Sequence, residues 1–186
     1  TGVLNNKTVT ELSVGLDHTV VRTSDGLAFS WGNGSNGRLG NGATTNSNVP
    51  VAVTATGALA GKTLASVAAG GAVSFAISAT GEVFAWGLGG RRGDGSSGDS
   101  TTAVVIAALG GSKKAMKVFP GVNNSLVLTD DGQLWSFGSN TNGTLGLGTL
   151  LDSAAAVSIS KNGSLPGQSL TGGAVGGTGV VVLDAQ

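Results

Sequence analysis

One histidine, ten carboxylates and no cysteine are what this 186-residue chain has for chemistry. Without cysteine there are no disulfides, thiolate ligands or thiol nucleophiles. A Ser–His–Asp triad would have to run through His18, because activating a serine needs an imidazole beside it. A single imidazole is too few for the usual transition-metal ligand sets. The carboxylates are scattered over Glu11, Asp17, Asp25, Glu82, Asp94, Asp99, Asp130, Asp131, Asp152 and Asp184. Asp25 and Asp131 precede glycines in tight turns, where such side chains accept local amide bonds. The stretch DGSSGD at 94–99 has the outline of an oxygen-rich calcium loop but offers only two carboxylates, short of the set that calcium takes.

Two further motifs invite a chemical reading. GALAGKT at 57–63 is near a phosphate-binding loop, but its glycines are four apart where that loop needs five. No helical pattern follows it; TLASVAA enters a short strand. The same place recurs as GVLNNKT at 2–8 and GSLPGQS at 163–169, so the reading is a repeated turn with Lys7 and Lys62 solvated. Five Asn-x-Ser/Thr sequons, at Asn6, Asn33, Asn123, Asn142 and Asn162, are candidate glycosylation acceptors if the chain is secreted by a eukaryote. No catalytic residue, metal or cofactor is expected.

The elements that would position any site announce themselves by repetition. GLAFSWG at 26–32 returns as GEVFAWG at 81–87 and GQLWSFG at 132–138. TELSVGLDHTVVRTSDG at 10–26 aligns with ASVAAGGAVSFAISATG at 65–81 and MKVFPGVNNSLVLTDDG at 116–132. NGRLGNG at 36–42 becomes GGRRGDG at 89–95 and NGTLGLG at 142–148, so that Gly40, Gly93 and Gly146 are spaced by 53 twice. A fourth copy starts: residues 163–186 align without gaps to 57–80. The chain therefore divides near 2–56, 57–109 and 110–162, with a partial unit at 163–186, as one array.

Each unit reads as four short strands, near 8–14, 18–23, 27–32 and 48–53 in the first, with a two-residue Asp-Gly or Thr-Gly turn joining the second and third. Alternation in LAFSW puts Leu27, Phe29 and Trp31 on one face and Ala28 and Ser30 on the other. Four strands per unit of about 50 residues is the pattern of a propeller blade: an all-β fold of antiparallel four-stranded blades, about three of them complete. A blade cannot bury both faces alone. Trp31, Trp86 and Phe137, with Phe29, Phe84 and Trp135, are read as filler between blades.

The run of strand, Gly turn, apolar strand, Asp-Gly, aromatic-x-Trp-Gly and Asn-Gly-x-Leu-Gly resembles the regulator of chromosome condensation repeat, over essentially the whole chain. The linker VPVAVTATGALAGKT at 49–63 resembles the bacterial and secreted-type variants of that repeat. The resemblance implies a propeller, commonly of seven blades, which at this spacing needs roughly 370 residues. It also implies a structural hydrogen-bonding role for His18, where the other units carry Val73 and Asn124. Members serve as nucleotide exchange factors for a small GTPase, as light sensors and as binding platforms. The charged rim residues and extra loop of the first role, and the tryptophan–arginine clusters of the second, have no counterpart here.

Composition narrows the partner. Charged residues are 11% of the chain and balance to zero, against about 25% in ordinary soluble domains. Nucleic-acid binding needs a basic patch, and only Arg91-Arg92 and Lys113-Lys114 cluster, so a protein partner or self-association is expected. No apolar run approaches the roughly 18 residues of a membrane span. A surface so poor in charge is easier to understand packed in an assembly. Because the sequence starts at Thr1 and stops in the strand-like VVVLDAQ, the expectation is a fragment or a chain completed by a partner: one piece of a longer protein, half of a paired ring, or an open stack. In the open stack the edge at Val180, Val181, Val182 and Leu183 receives the next chain. The expected function is a structural and interaction module of an extracellular or surface assembly, such as a filament or adhesin. The alternative is an intracellular platform regulating a small GTPase or another partner.

Overall fold

A computed structural model describes residues 2–109, 113–159, 170–175 and 180–184. The first sheet is β1 (Val9–Val14), β2 (His18–Thr23), β3 (Ala28–Gly32) and β4 (Ser47–Ala52). The second is β5 (Leu64–Ala69), β6 (Val73–Ser78), β7 (Val83–Gly87) and β8 (Ser100–Val105). The third is β9 (Ala115–Pro120), β10 (Asn124–Thr129), β11 (Leu134–Gly138) and β12 (Ser153–Ser158). Each is an antiparallel meander in chain order, and β13 (Leu170–Val175) pairs with β14 (Val180–Asp184) in a two-stranded sheet. These are the blades the repeat predicts, and no α-helix occurs among the described residues.

Register repeats as faithfully as sequence. Leu12, Val67 and Val118 lie opposite Val21, Ala76 and Val127 on their neighbouring strands, which in turn face Phe29, Phe84 and Trp135. Every first strand carries a bulge near its start, and every third strand shifts register before its terminal glycine. That glycine is obligatory. Gly32, Gly87 and Gly138 have φ of +107°, +110° and +107°. A Cβ on them would stand 2.3–2.5 Å from the carbonyl oxygens of Asp17, Ala72 and Asn123, so both the conformation and the space exclude a side chain.

The turn between second and third strands is longer than the two-residue form expected from Asp-Gly. Thr23 N–H donates to Leu27 O and Gly26 N–H to Thr23 O, both at 2.9 Å. Three residues, 24–26, thus sit between a bonded pair, and Gly26 takes φ +77°, the geometry of a three-residue hairpin loop.

The core lies between sheets. Val20, Ala28 and Val53 of the first pack against Val67, Phe84 and Trp86 of the second. Phe75, Ile77 and Ala85, on the other side of the second, pack against Val118, Trp135 and Phe137 of the third. The Phe75 and Phe137 rings are 6.0 Å apart and tilted by 55°, within the range in which aromatic pairs attract. Each sheet thus has a leading face, bearing the third-strand aromatics and turned toward the preceding sheet, and a trailing face turned toward the next.

Candidate functional site

The densest cluster of polar chemistry sits in the seam between the first two sheets. β2 begins at His18, and its Nε2 lies 2.8 Å from Ser74 Oγ on β6. Ser74 Oγ donates to Arg38 O at 2.8 Å, and Trp86 Nε1 donates to the same carbonyl at 3.0 Å. Because the serine hydrogen is committed to Arg38 O, the His18 Nε2 bears the proton and Ser74 accepts it. A nucleophilic serine needs the opposite direction, its own hydrogen pointing at the imidazole. Ser74 is also fully buried and His18 nearly so. The arrangement is a clamp between sheets.

His18 Nδ1 is buried without a partner among the described residues. Burial, then the Arg38 guanidinium, lowers the imidazole from 6.5 to about 4, against an opposing pull from Asp17. The neutral form is what burial favours.

The glycine of the third motif completes this seam. Gly40 takes φ +68°, and a Cβ there would lie 2.6 Å from Trp86 Nε1. Gly93, at φ +84°, stands in the same relation to the Phe137 ring at 2.9 Å, whereas Gly146, at φ +66°, meets only Ile159 at 3.7 Å. Trp86, Phe84 and Phe137 are buried, Trp135 is 9% exposed and Phe29 3%, while Trp31 is only half-buried.

Other chemical candidates are held in local structure. Residues 57–63 form a turn, with Ala60 and Lys62 amides bonded back to Gly57 O and Leu59 O, and lead into strand β5. Lys7 and Lys62 reach solvent and are also held in ion pairs. Lys7 pairs with Asp25, Lys62 with Glu82 at 2.6 Å, and Lys113 with Asp131 at 2.7 Å. The lysine bond is the leading cause that holds Asp25 and Glu82 below the ordinary carboxylate range. Sequence reasoning missed this recurring pair; the signal was the lysine returning at the repeat interval before each carboxylate-bearing turn.

In the DGSSGD loop, Asp94 pairs with Arg92 at 2.9 Å. Asp99 accepts from the Gly89 amide and from Asn36 Nδ2, in that order the causes of its lowered pKa. Arg92 occupies the position of Leu39 and Leu145, and all three are buried. Its Nη1 donates to Gly87 O and Gly98 O and its Nη2 to Asp94, while Nε is buried without a partner among the described residues. Across the rim of the next seam Arg91 reaches Asp152 at 3.0 Å. The Asn140 amide, then Arg91, keeps Asp152 below its ordinary range. Glu11 and Ser13, also missed, bind the edge of β5: Glu11 accepts from Ser66 Oγ and Val67 N–H, and Ser13 from Ala69 N–H.

Of the sequons, Asn6, Asn123 and Asn142 are exposed, Asn33 is half-buried with its Oδ1 on the Ser35 amide, and Asn162 lies outside the described residues. Val180, Val181, Val182 and Leu183 lie in β14, which pairs on one side with β13.

The leading face of the first sheet differs from the other two. Leu12 is 67% exposed and Val14 66%, where their register equivalents Val67 and Ala69 are 4% and 7% exposed beneath the preceding sheet. Beside them, Leu16 joins Val14, Gly71, Pro120 and Val122 around a recess of about 200 Å³ where the first turns of three sheets converge.

Successive four-stranded meanders joined face to face define a β-propeller repeat protein. The regulator of chromosome condensation (RCC1) repeat matches residues 25–77, and a second form of it matches 9–38 and 118–144. The chain belongs to this RCC1 repeat family. It is similar to the ultraviolet-B receptor UVR8 of Arabidopsis thaliana, 37% identical over 145 residues, which are 76% of this chain and 32% of the receptor. It is similar also to the human E3 ubiquitin-protein ligase HERC2, 36% identical over 133 residues, 70% of this chain and 3% of the ligase. Among solved structures, Prp20p of Saccharomyces cerevisiae superposes with a TM-score of 0.76 at 20% identity, over 96% of this chain and 44% of Prp20p. The chain thus spans less than half the length of each of these relatives.

Proposed function

We propose that the chain is a non-catalytic structural and protein-binding module, a single array of units near 2–56, 57–109, 110–162 and 163–186, working in an extracellular or cell-surface assembly. The observation that carries this reading is the exposure of Leu12 and Val14 on the leading face of the first sheet, where the register equivalents Val67 and Ala69 are buried in a sheet-to-sheet contact. The histidine, its serine and Arg38 are spent on joining sheets and Arg92 on holding its own loop, which leaves recognition rather than reaction as the work of the surface. The low charge supports a packed setting. Exposed Asn6, Asn123 and Asn142 are the acceptors for glycans in a secreted chain.

The second reading, an intracellular platform, draws on Prp20p, whose binding to Gsp1p and histones is described with its structure. Membrane-impermeant labelling of intact cells that make the parent protein separates the two. Labelling of this region supports the surface setting, and labelling only after lysis refutes it.

A further inference from the structure

We infer that residues 88–99 of the second unit form a strap that closes the outer edge of the third sheet, and that Arg92 is the residue that holds the strap in place. The strap is independent of the setting proposed above. β12 pairs with β11 on one side and is the outer strand of its sheet. Its other side is taken by the glycine loop of the sheet before. Gly95 N–H donates to Ala154 O and Ala156 N–H to Gly93 O, both at 3.0 Å, and Gly93 and Asp94 bridge Ala155. The loop folds on itself to reach this position. Gly90 N–H donates to Ser96 O at 2.8 Å, and Arg92 Nη1 gathers Gly87 O and Gly98 O at 2.9 and 2.7 Å. Arg92 Nη2 then reaches Asp94, inside the strap itself, at 2.9 Å. One planar group thus fixes both ends of the loop and its middle, through a rigid fork that lysine lacks.

The first seam is the internal comparison. Gly40, Gly42 and Thr101 stand one repeat interval before Gly93, Gly95 and Ala154. Gly42 N–H donates to Thr101 O at 2.9 Å, the counterpart of the Gly95 bond. Gly40 O, however, accepts Thr54 N–H of its own unit at 2.9 Å, where Gly93 O accepts from the next unit. The first loop has Leu39 and Asn41 where the second has Arg92 and Asp94. Asn41 and Asp94 make the same local turn, to the Ala43 and Ser96 amides; only the aspartate also meets a guanidinium. The ion pair and the second bond across the seam therefore occur together. The strap also has an edge to guard, since an unpaired outer strand is a template for another chain. β4 carries Pro50, which has no N–H to offer, at the register position of Ala156. β12 reads SAAAVS, with neither proline nor charge, and the strap covers it instead.

The test is amide hydrogen exchange followed by NMR, in the wild type and in Arg92→Leu. Leucine is the residue at this place in the other two units, Leu39 and Leu145, so the variant carries a side chain that the fold accepts. The expected result is at least tenfold faster exchange at both Gly95 and Ala156. The amides of β9, β10 and β11, the Gly42 amide and the melting temperature should stay near their wild-type values. Arg92→Lys keeps the charge but loses the fork, and should release the same two amides. Unchanged protection at Gly95 and Ala156 in Arg92→Leu overturns the strap. A loss that spreads equally through β9–β11 overturns it too, because that reports a failing sheet rather than a freed loop. Full protection in Arg92→Lys overturns the role given to the fork.

Discussion

The His18 clamp makes the first seam sensitive to mild acid. The folded imidazole titrates near 4 because burial and Arg38 oppose its charge; the unfolded one titrates near 6.5. Above pH 6.5 neither state binds the proton and the seam has its full strength. Between pH 6.5 and 4 only the unfolded state binds it, so stability falls as pH falls. The shift of about 2.5 units corresponds to a full loss of about 3.4 kcal/mol, of which about 2 kcal/mol is gone by pH 5. In urea that is a midpoint lower by roughly 1 M at a typical slope. His18→Gln keeps an amide donor for Ser74 and does not titrate. The assay is urea unfolding of both proteins at pH 7, 6 and 5, with the His18 ring followed by NMR. The wild type should lose stability over this range and the variant should stay nearly level, since Asp25, Glu82, Asp99, Asp131 and Asp152 are held below the ordinary carboxylate range. Equal slopes for the two proteins, or a ring that titrates near 6.5 in the folded state, would refute the reasoning.

Other substitutions test other parts of the seams by thermal or chemical unfolding. Gly40→Ala should cost about 3 kcal/mol, from a positive φ plus the contact with Trp86 Nε1, whereas Gly146→Ala should cost only about 1–2 kcal/mol for its φ. Arg92→Leu restores the residue of the other two units and should be neutral or stabilising, while Asp94→Asn, which removes the carboxylate from a buried guanidinium, should cost about 3 kcal/mol. Trp135 Nε1 is buried without a partner among the described residues, at the register position of Phe29 and Phe84. Trp135→Phe should therefore stay within about 1 kcal/mol of wild type, and Trp86→Phe, which strips a donor from Arg38 O, should cost about 2–3 kcal/mol.

Much of the fold was legible because its signals are local and repeated. A period-two pattern in LAFSW and glycines at fixed offsets place the strands of the first unit within a residue or so of Val9–Val14, His18–Thr23, Ala28–Gly32 and Ser47–Ala52. Less of the site was legible, because its contacts cross between units. The direction of the His18–Ser74 bond depends on Arg38 O, 36 residues from Ser74. Lys7 finds Asp25 only once the turn before β1 folds back over the hairpin. The alignment shows arginine where leucine recurs, but not that Gly87 and Gly98 turn their carbonyls toward it. The exposure of Leu12 is likewise invisible in a position that reads as core in every unit.

The two seams are chemically unlike. The first holds a histidine that gives way in mild acid; the second is closed by Phe75 on Phe137 and by the Arg91–Asp152 pair, whose carboxyl is held below its ordinary range. In an array whose units touch only their neighbours, stability is a chain of separate couplings, and the weakest one sets where opening starts. Lowering the pH from 7 to 5 should therefore release amide protection in β1–β4 first, while β6 and β10 still exchange slowly. The histidine acts as a perforation: it fixes in advance the line along which the array parts.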